Sequence, residues 1–405
     1  MEVGGSQLNA VQLAAAVRDR GHEVIIAAEP GPLSERLRDM GLEHIEIPRR
    51  RRRPSPTVIA QILHVIRKRK IDVVHGYEWP PVIDAFFGPL LLLRIPVVGT
   101  VLSMSVCPFF PRSIPLVVGT EAIRQVAVAS GHHQVTLIEP PVDTDADNPE
   151  VDGTAFRAKH QIKTDEVLIV MICRLVPELK LEGLLSTCEA VRDLSLTGSR
   201  VRLLIVGDGR SRPDVSHCAA IANTAAGREV ITLTGEILDP RPAYAACDIA
   251  VGQGGSALRG MAFGKPLVVV GENGFSETLT PASAPLFLNQ GWYGLGPGSL
   301  GIGVPALRAA LQQLVTEPAR RKELGRFSRN LVEQRFSLRL AAEVQERIYL
   351  DALQNPIPTT SLAKDCVRSA AGLSRNYVTR KIQRLSGKVS IDDSNARAVV
   401  SQSQS

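Results

Sequence analysis

Residues Gly254-Gly255-Ser256-Ala257-Leu258-Arg259 lead into Gly264-Lys265-Pro266 and then the apolar run Leu267–Val270. The order reads as a glycine loop, a helix of about two turns, a Gly-x-Pro break and a buried strand. A glycine loop feeding a helix N-terminus gathers unpaired backbone N–H groups at one point, which suits a phosphate. Arg259 is the anomaly of this stretch. A guanidinium only donates hydrogen bonds, so it fits a phosphate or carboxylate ligand, or a structural pairing with Glu272 or Glu277. A second cationic feature is the run Arg49–Arg53 between Pro48 and Pro54. In a loop after a strand, such a run grips a phosphorylated acceptor or anionic lipid headgroups, or it stays solvated. It lacks aromatic interleaving, and aromatic residues make up only 4% of the chain, so no nucleic-acid partner is expected. Cysteines at 107, 173, 188, 218, 247 and 366 form no CxxC pair. They read as buried free thiols of a reducing compartment, and no metal site is expected.

These features need a scaffold. At 405 residues the chain is long enough for two domains, and its 44% hydrophobic content supports full cores. Its net charge of +6 favours anionic partners. Short β-branched or apolar runs at 23–28, 44–47, 72–75, 97–101, 117–118 and 135–138 alternate with helical patterns at 7–20, 32–40, 57–68 and 82–93. A second series of strands at 167–171, 201–206, 230–233, 249–251 and 267–270 alternates with helices at 184–194, 216–224, 242–246 and 256–263. Alternation of this kind implies parallel sheets covered on both faces. Ligands of open α/β sheets bind at the carboxyl ends of the strands, so two such sheets imply a cleft between them. The Pro/Asp-rich stretch 139–149 reads as a linker.

Helices are expected near 304–315, 318–335 and 338–353. Past Asn355, Ser, Thr and basic residues dominate, and most of the last fifty residues are expected to be disordered. The exception is 362–385, patterned as a basic amphipathic helix that reads either as a membrane-surface helix or as a solvated or partner-bound tail. The most apolar window, 85–104, contains Gly88, Pro89, Arg94, Pro96 and Gly99, which makes it a helix end plus a core strand rather than a membrane span. Met1 leads directly into a polar glycine turn, so no signal peptide is expected. Gly4-Gly5 belongs in a turn after a first strand, yet three residues precede it. The reading is a chain that starts late and leaves a gap in its first sheet.

Further motifs carry a family resemblance. Gly4-Gly5-Ser6-Gln7 is followed by Leu13-Ala14 and Arg20-Gly21-His22-Glu23-Val24. Later come Cys173-Arg174 through Lys180, Leu204–Gly209, Leu233-Thr234-Gly235-Glu236, Tyr244–Asp248 and Gly271–Glu277. In this order they resemble the family 4 retaining glycosyltransferases, over roughly Glu2 to Leu353. The resemblance implies an α/β fold of GT-B type, two Rossmann-like doubly wound domains facing across a cleft. It divides the chain into an acceptor-side domain (1–145), a nucleotide-sugar domain (146–335), a C-terminal helix crossing back to the first domain (336–355) and a basic, largely disordered tail (356–405). The activity it implies is retaining hexosyl transfer from a nucleotide sugar to a sugar or lipid acceptor such as a cell-envelope glycolipid, with no metal or cofactor.

In that reading Arg174 and Lys180 embrace the donor diphosphate, stabilising the charge that develops as it leaves. Gly207, Glu236, Gly254, Gly255, Ser256, Ala257, Leu258, Arg259 and Glu277 fall on the donor side. Gly4, Gly5, Arg50 and Arg51 fall on the acceptor side. His75 is either a general base at the cleft or a strand-end histidine satisfied by its neighbours. The chain also departs from the family. Two glutamates eight positions apart ahead of the Gly-x-Pro break, the later one holding the donor ribose, are replaced by Val251 and Arg259. A second histidine expected after Gly99-Thr100-Val101 is Leu102. The alternative is therefore a non-catalytic paralogue that binds a nucleotide or sugar phosphate. The implied location is cytoplasmic, with the basic segments as peripheral contacts at the inner face of the membrane.

Overall fold

The computed structural model describes residues 5–49, 52–103 and 105–385. They divide into two compact units, Met1–Pro141 with Leu338–Ser405, and Val142–Ser337. The first unit opens with α1 (Gly5–Asp19), β1 (Ile25–Ala28), α2 (Leu33–Asp39), β2 (Glu43–Glu46), α3 (Pro56–Arg69) and β3 (Val74–Tyr77). Helix α3 shows how sequence sets its ends. The Ser55 side chain accepts from the Val58 N–H, a proline occupies the first turn, and Lys70 ends the helix in a left-handed conformation. Next come α4 (Trp79–Ala85), a π-helical turn over Phe86–Leu90, α5 (Leu91–Leu93), β4 (Val97–Val101), β5 (Leu116–Val118), α6 (Glu121–Ala129) and β6 (Val135–Leu137). The apolar window thus contains helical turns and a fully buried strand, β4. Among the described residues no helix is long and apolar enough to cross a membrane.

The strands of this unit form two separate parallel sheets, β1–β2 and β3–β4–β5–β6. Strand β4 is buried along its length, whereas β1 and β3 are mostly half-buried. That difference follows from pairing, since β4 has a neighbour on each side and β1 and β3 each have one.

The second unit contains α7 (Thr154–Lys159), β7 (Val167–Ile172), α8 (Leu181–Leu196), β8 (Val201–Val206), α9 (Arg212–Ala226), β9 (Ile231–Gly235), α10 (Arg241–Ala246), β10 (Ile249–Gly252), α11 (Gly255–Ala262) and β11 (Leu267–Val270). It continues with β12 (Ser276–Thr278), α12 (Ala284–Gln290), α13 (Gly303–Thr316) and α14 (Pro318–Arg335). Its sheet runs β12-β11-β10-β7-β8-β9, parallel except for the β11–β12 pair. Alternate strand residues build the two faces. Ile169, Met171, Leu203 and Ile205 join a core with α8, α9 and α13, while Leu168, Val170, Leu204 and Val206 join another with α11. Burial on both faces is why these strands read as continuous apolar runs.

The chain then returns to the first unit through α15 (Leu338–Gln354) and α16 (Thr359–Leu385). Ala341, Ala342 and Ala352 of α15 pack with Leu13, Val17, Val98 and Val117. The stretch 362–385, excepted from the tail as a basic amphipathic helix, is α16, and one of its faces is docked rather than free. Leu362 and Leu373 are buried in the core of this unit. Asp365 accepts from the Ser113 N–H and hydroxyl at 2.7 and 2.6 Å. A single narrow buried face, with Asp365 and Ser369 on it, is hidden in an overall Ser-, Thr- and Arg-rich composition. Residues 386–405 lie outside the described residues.

Candidate functional site

In the second unit the strand order reverses between β7 and β10. The chain runs outward from β7 through β8 to β9, then comes back to β10 and runs out through β11. Loops leaving the two central strands diverge and open a crevice at their carboxyl ends. Here those loops are Cys173–Lys180 and Gln253-Gly254. Gln253 is buried and its side-chain amide donates to the Leu179 carbonyl at 2.7 Å. Leu179 has φ +62°, and its N–H donates to Glu272 at 3.3 Å. Glu272 in turn accepts from the Tyr293 hydroxyl. The loop after β7 is thereby pinned from two directions in a backbone conformation a leucine rarely adopts.

The pinned loop carries Arg174, exposed just past β7, and Lys180, half-buried at the start of α8. Loss of hydration pushes the Lys180 ammonium down to about 8, partly opposed by the Cys173 thiol and reinforced by Arg174. Burial pushes Cys173 up to about 11, so it remains a neutral thiol near pH 7. An anion beside Lys180 would raise its pKa again and hold it charged. The turn after β8 closes on the same loop. A Cβ at Gly207 would lie 1.9 Å from the Cys173 carbonyl oxygen, and one at Gly209 would lie 2.3 Å from that of Leu175. Leu175 N–H meanwhile donates to Asp208 O at 2.9 Å. Backbone packs directly on backbone, which only glycine permits.

From the other side comes the start of α11. Gly254 has φ +57° and spends its N–H on Trp292 O at 2.7 Å. Ala257 and Leu258 N–H both return to Gly254 O. Gly255 and Ser256 N–H are left without a protein acceptor among the described residues. A Cβ at 254 or 255 would meet nothing within 4 Å, so the space over the loop is open. The Ser256 hydroxyl is turned back, donating to Gln253 O at 2.9 Å. Two cationic side chains and a helix start thus flank one sheet crevice, an arrangement that can hold and stabilise a diphosphate.

Sequence comparison bears on both units. Residues 3–113 match the family model of Glycosyltransferase Family 4, and residues 166–291 match that of Glycosyl transferases group 1. No curated protein matches the chain by sequence. Among solved structures, a glycosyltransferase from Rickettsia africae ESF-5 superposes with a TM-score of 0.71 at 18% identity, covering 88% of this chain and 97% of its own. Anabaena HepE in complex with UDP gives 0.65 at 15% identity, covering 85% and 96%. Sucrose-phosphate synthase from Thermosynechococcus elongatus gives 0.62 at 16% identity, covering 87% and 94%. The fold is GT-B, and the chain is glycosyltransferase-like.

Within this GT-B chain the expected site residues separate. Arg174, Lys180, Gly207, Gly254, Gly255 and Ser256 lie on the three loops around the crevice. Ala257 and Leu258 belong to the core, 0% and 1% exposed, so only their N–H groups reach the loop. Glu236 is exposed after β9. Glu277 is 8% exposed and accepts from the Ser299 N–H and hydroxyl at 2.6 and 2.8 Å. Its carboxylate holds the glycine loop near Gly298. Val251 is core, 3% exposed. Arg259 pairs with neither Glu272 nor Glu277. It meets Asp147 at 3.3 Å, from the Pro/Asp-rich segment. Burial raises the Asp147 pKa, with Arg259 opposing.

In the first unit, His75 has the geometry of the second of its two readings, a strand-end histidine with its neighbours engaged. Its Nδ1 meets the Tyr349 hydroxyl and its Nε2 the Thr100 hydroxyl, each at 2.7 Å. Surrounding protein pushes its pKa down to about 3, so it stays neutral with both nitrogens engaged. Gly5 starts α1, while Gly4, Arg50 and Arg51 lie outside the described residues.

Sequence reading missed Gln253, Asp147 and Glu78, and named Glu272 only as a partner for Arg259. Glu78 has φ 65° and ψ 167° at the end of β3, a conformation nearly reserved for glycine. It accepts from Ser6, from the Leu102 and Ser103 N–H groups and from the Ser103 hydroxyl. Its position between a strand and Trp79-Pro80-Pro81, a proline-marked helix start, was the available signal.

Proposed function

We propose that this chain is a retaining glycosyltransferase that moves a hexose from a nucleotide-sugar donor to a sugar or lipid acceptor, with the donor diphosphate in the β7/β10 crevice. The observation that supports the reading is the placement of Arg174 and Lys180 on the loop leaving β7 and of the Gly255 and Ser256 N–H groups, unpaired among the described residues, on the loop leaving β10, the two strands of the switch point. The structural neighbour HepE binds UDP and UDP-glucose, which supports a nucleotide sugar as the donor class. As the sugar–phosphate bond breaks, charge accumulates on the leaving diphosphate. The half-buried Lys180 and the exposed Arg174 meet that charge, and their contribution grows toward the transition state. With His75 committed to Tyr349 and Thr100, deprotonation of the acceptor falls to the leaving phosphate itself.

A second reading, a nucleotide-binding protein without transfer, is favoured by one specific observation. The two positions that carry the family's glutamates hold a core valine and an arginine paired to Asp147. The discriminating experiment pairs calorimetry with a transfer and hydrolysis assay over a panel of UDP- and GDP-sugars. Binding with turnover supports the transferase, and binding without turnover supports the second reading. No binding of any donor or nucleotide overturns both.

A further inference from the structure

The sequence contains two unconnected basic segments, Arg49–Arg53 and the helix α16, more than 300 residues apart. The fold brings Arg53, at the end of the first, against α16. The Tyr377 hydroxyl accepts from the Arg53 N–H at 2.7 Å and donates to the Arg53 carbonyl at 2.9 Å. Arg53 is itself fixed, its guanidinium paired with the fully buried Asp84 and with Glu29. The loop is therefore a built feature, and the exposed Arg49 and Arg52 are carried at its surface.

The outward face of α16 has a composition that a solvated helix does not need. Its inward face is committed through Leu362, Asp365, Ser369 and Leu373. Outward, Val367, Val378 and Ile382 are 72%, 58% and 60% exposed. Their spacing of eleven and four residues puts them on one stripe of a helix. Ala371 and Ser374, small and exposed, lie along it. Lys364, Arg375 and Lys381 are exposed beside this stripe. Thr359–Leu385 carries six Lys or Arg and one Asp, and that Asp faces inward to Ser113. An apolar stripe flanked by cations with no exposed acid fits the boundary layer of an anionic bilayer. A nucleic acid would leave the aliphatic stripe in water, and the surface has no exposed aromatic on which bases could stack.

We infer that the outer face of α16, together with the exposed Arg49 and Arg52 beside the Arg53–Tyr377 contact, is a membrane-docking surface that selects anionic lipid. The cations supply selectivity and range, and Val367, Val378 and Ile382 enter the acyl boundary. Among the described residues no helix is long and apolar enough to cross a membrane, and attachment through this surface is reversible and falls with ionic strength.

The test is co-sedimentation of the full chain with vesicles of neutral phosphatidylcholine, with or without about 30% phosphatidylglycerol. Binding is expected to be about tenfold or more tighter with the anionic lipid, since the surface cations are drawn to the negative surface potential of such a bilayer. Lys364→Glu/Arg375→Glu/Lys381→Glu should abolish that preference, with the melting temperature unchanged because all three side chains are exposed. Val367→Ser/Val378→Ser/Ile382→Ser should keep the low-salt attraction and lose binding in high salt. Equal binding to both vesicles overturns the inference. So does binding that survives the charge reversal, or preferential capture by a DNA duplex.

Discussion

Arg259 occupies the position where a ribose-binding carboxylate is expected, and its actual partner makes a measurable claim. Arg259→Met keeps most of the aliphatic stem and removes the charge facing Asp147. Deleting one member of a fully buried ion pair costs about 3–5 kcal/mol, because the other charge is stranded. Here Asp147 is 7% exposed and Arg259 is 21% exposed at a separation of 3.3 Å. Solvent reaching the guanidinium discounts the cost to about 2 kcal/mol. For a unit of this size that lowers the melting temperature by about 4–8 °C.

The pH dependence fixes the cause. The folded Asp147 pKa already lies above its ordinary value, burial outweighing Arg259, and it rises further without the arginine. A carboxyl with a raised folded pKa gains stability as pH falls through that value. The deficit of Arg259→Met should therefore narrow between pH 7.5 and pH 5 in a thermal or urea melt. Asp147→Asn should recover most of it, with a coupling energy of about 1–2 kcal/mol in the double-mutant cycle. UDP affinity of the folded fraction should stay near wild type. Arg259→Glu should be still less stable and gain no donor affinity. A variant that melts with the wild type yet loses tenfold in UDP affinity would refute this reasoning and place the guanidinium on the ligand.

Three further outcomes are expected. Lys180→Ala should lose about 2–4 kcal/mol of transition-state stabilisation in kcat/KM. With its ammonium near 8 in the free protein, wild-type UDP affinity should weaken as pH rises past 8, and Lys180→Arg should flatten that dependence in calorimetry. Gly207→Ala removes no ligand group, yet its methyl would collide with the Cys173 carbonyl, so nucleotide binding should fall more than tenfold by displacement of the β7 loop. His75→Gln should lower the stability of the first unit by about 1–3 kcal/mol through stranded partners. The pH–rate profile of the wild type should show no limb near 6.5, and such a limb lost in His75→Gln would restore the histidine as a base.

Periodicity and punctuation determined much of this protein. Alternating apolar runs and amphipathic helices specify parallel sheets with covered faces, because burial of both sheet faces leaves a local imprint on every strand. Gly254-Gly255 and Gly264-Lys265-Pro266 marked the ends of α11 because φ and hydrogen-bond restrictions act within a few residues. Partner choice was decided only by the tertiary structure. The sequence around Arg259, Glu277 and His75 is compatible with ligand binding, and their roles turn on residues 112, 22 and 274 positions away: Asp147, Ser299 and Tyr349. The same holds for the pairing of Arg53 with Tyr377 and for α16, whose composition resembles a free tail until one face is buried. Local rules write backbone conformation into neighbouring residues, whereas the fate of a charge depends on which distant group the fold brings within about 3 Å.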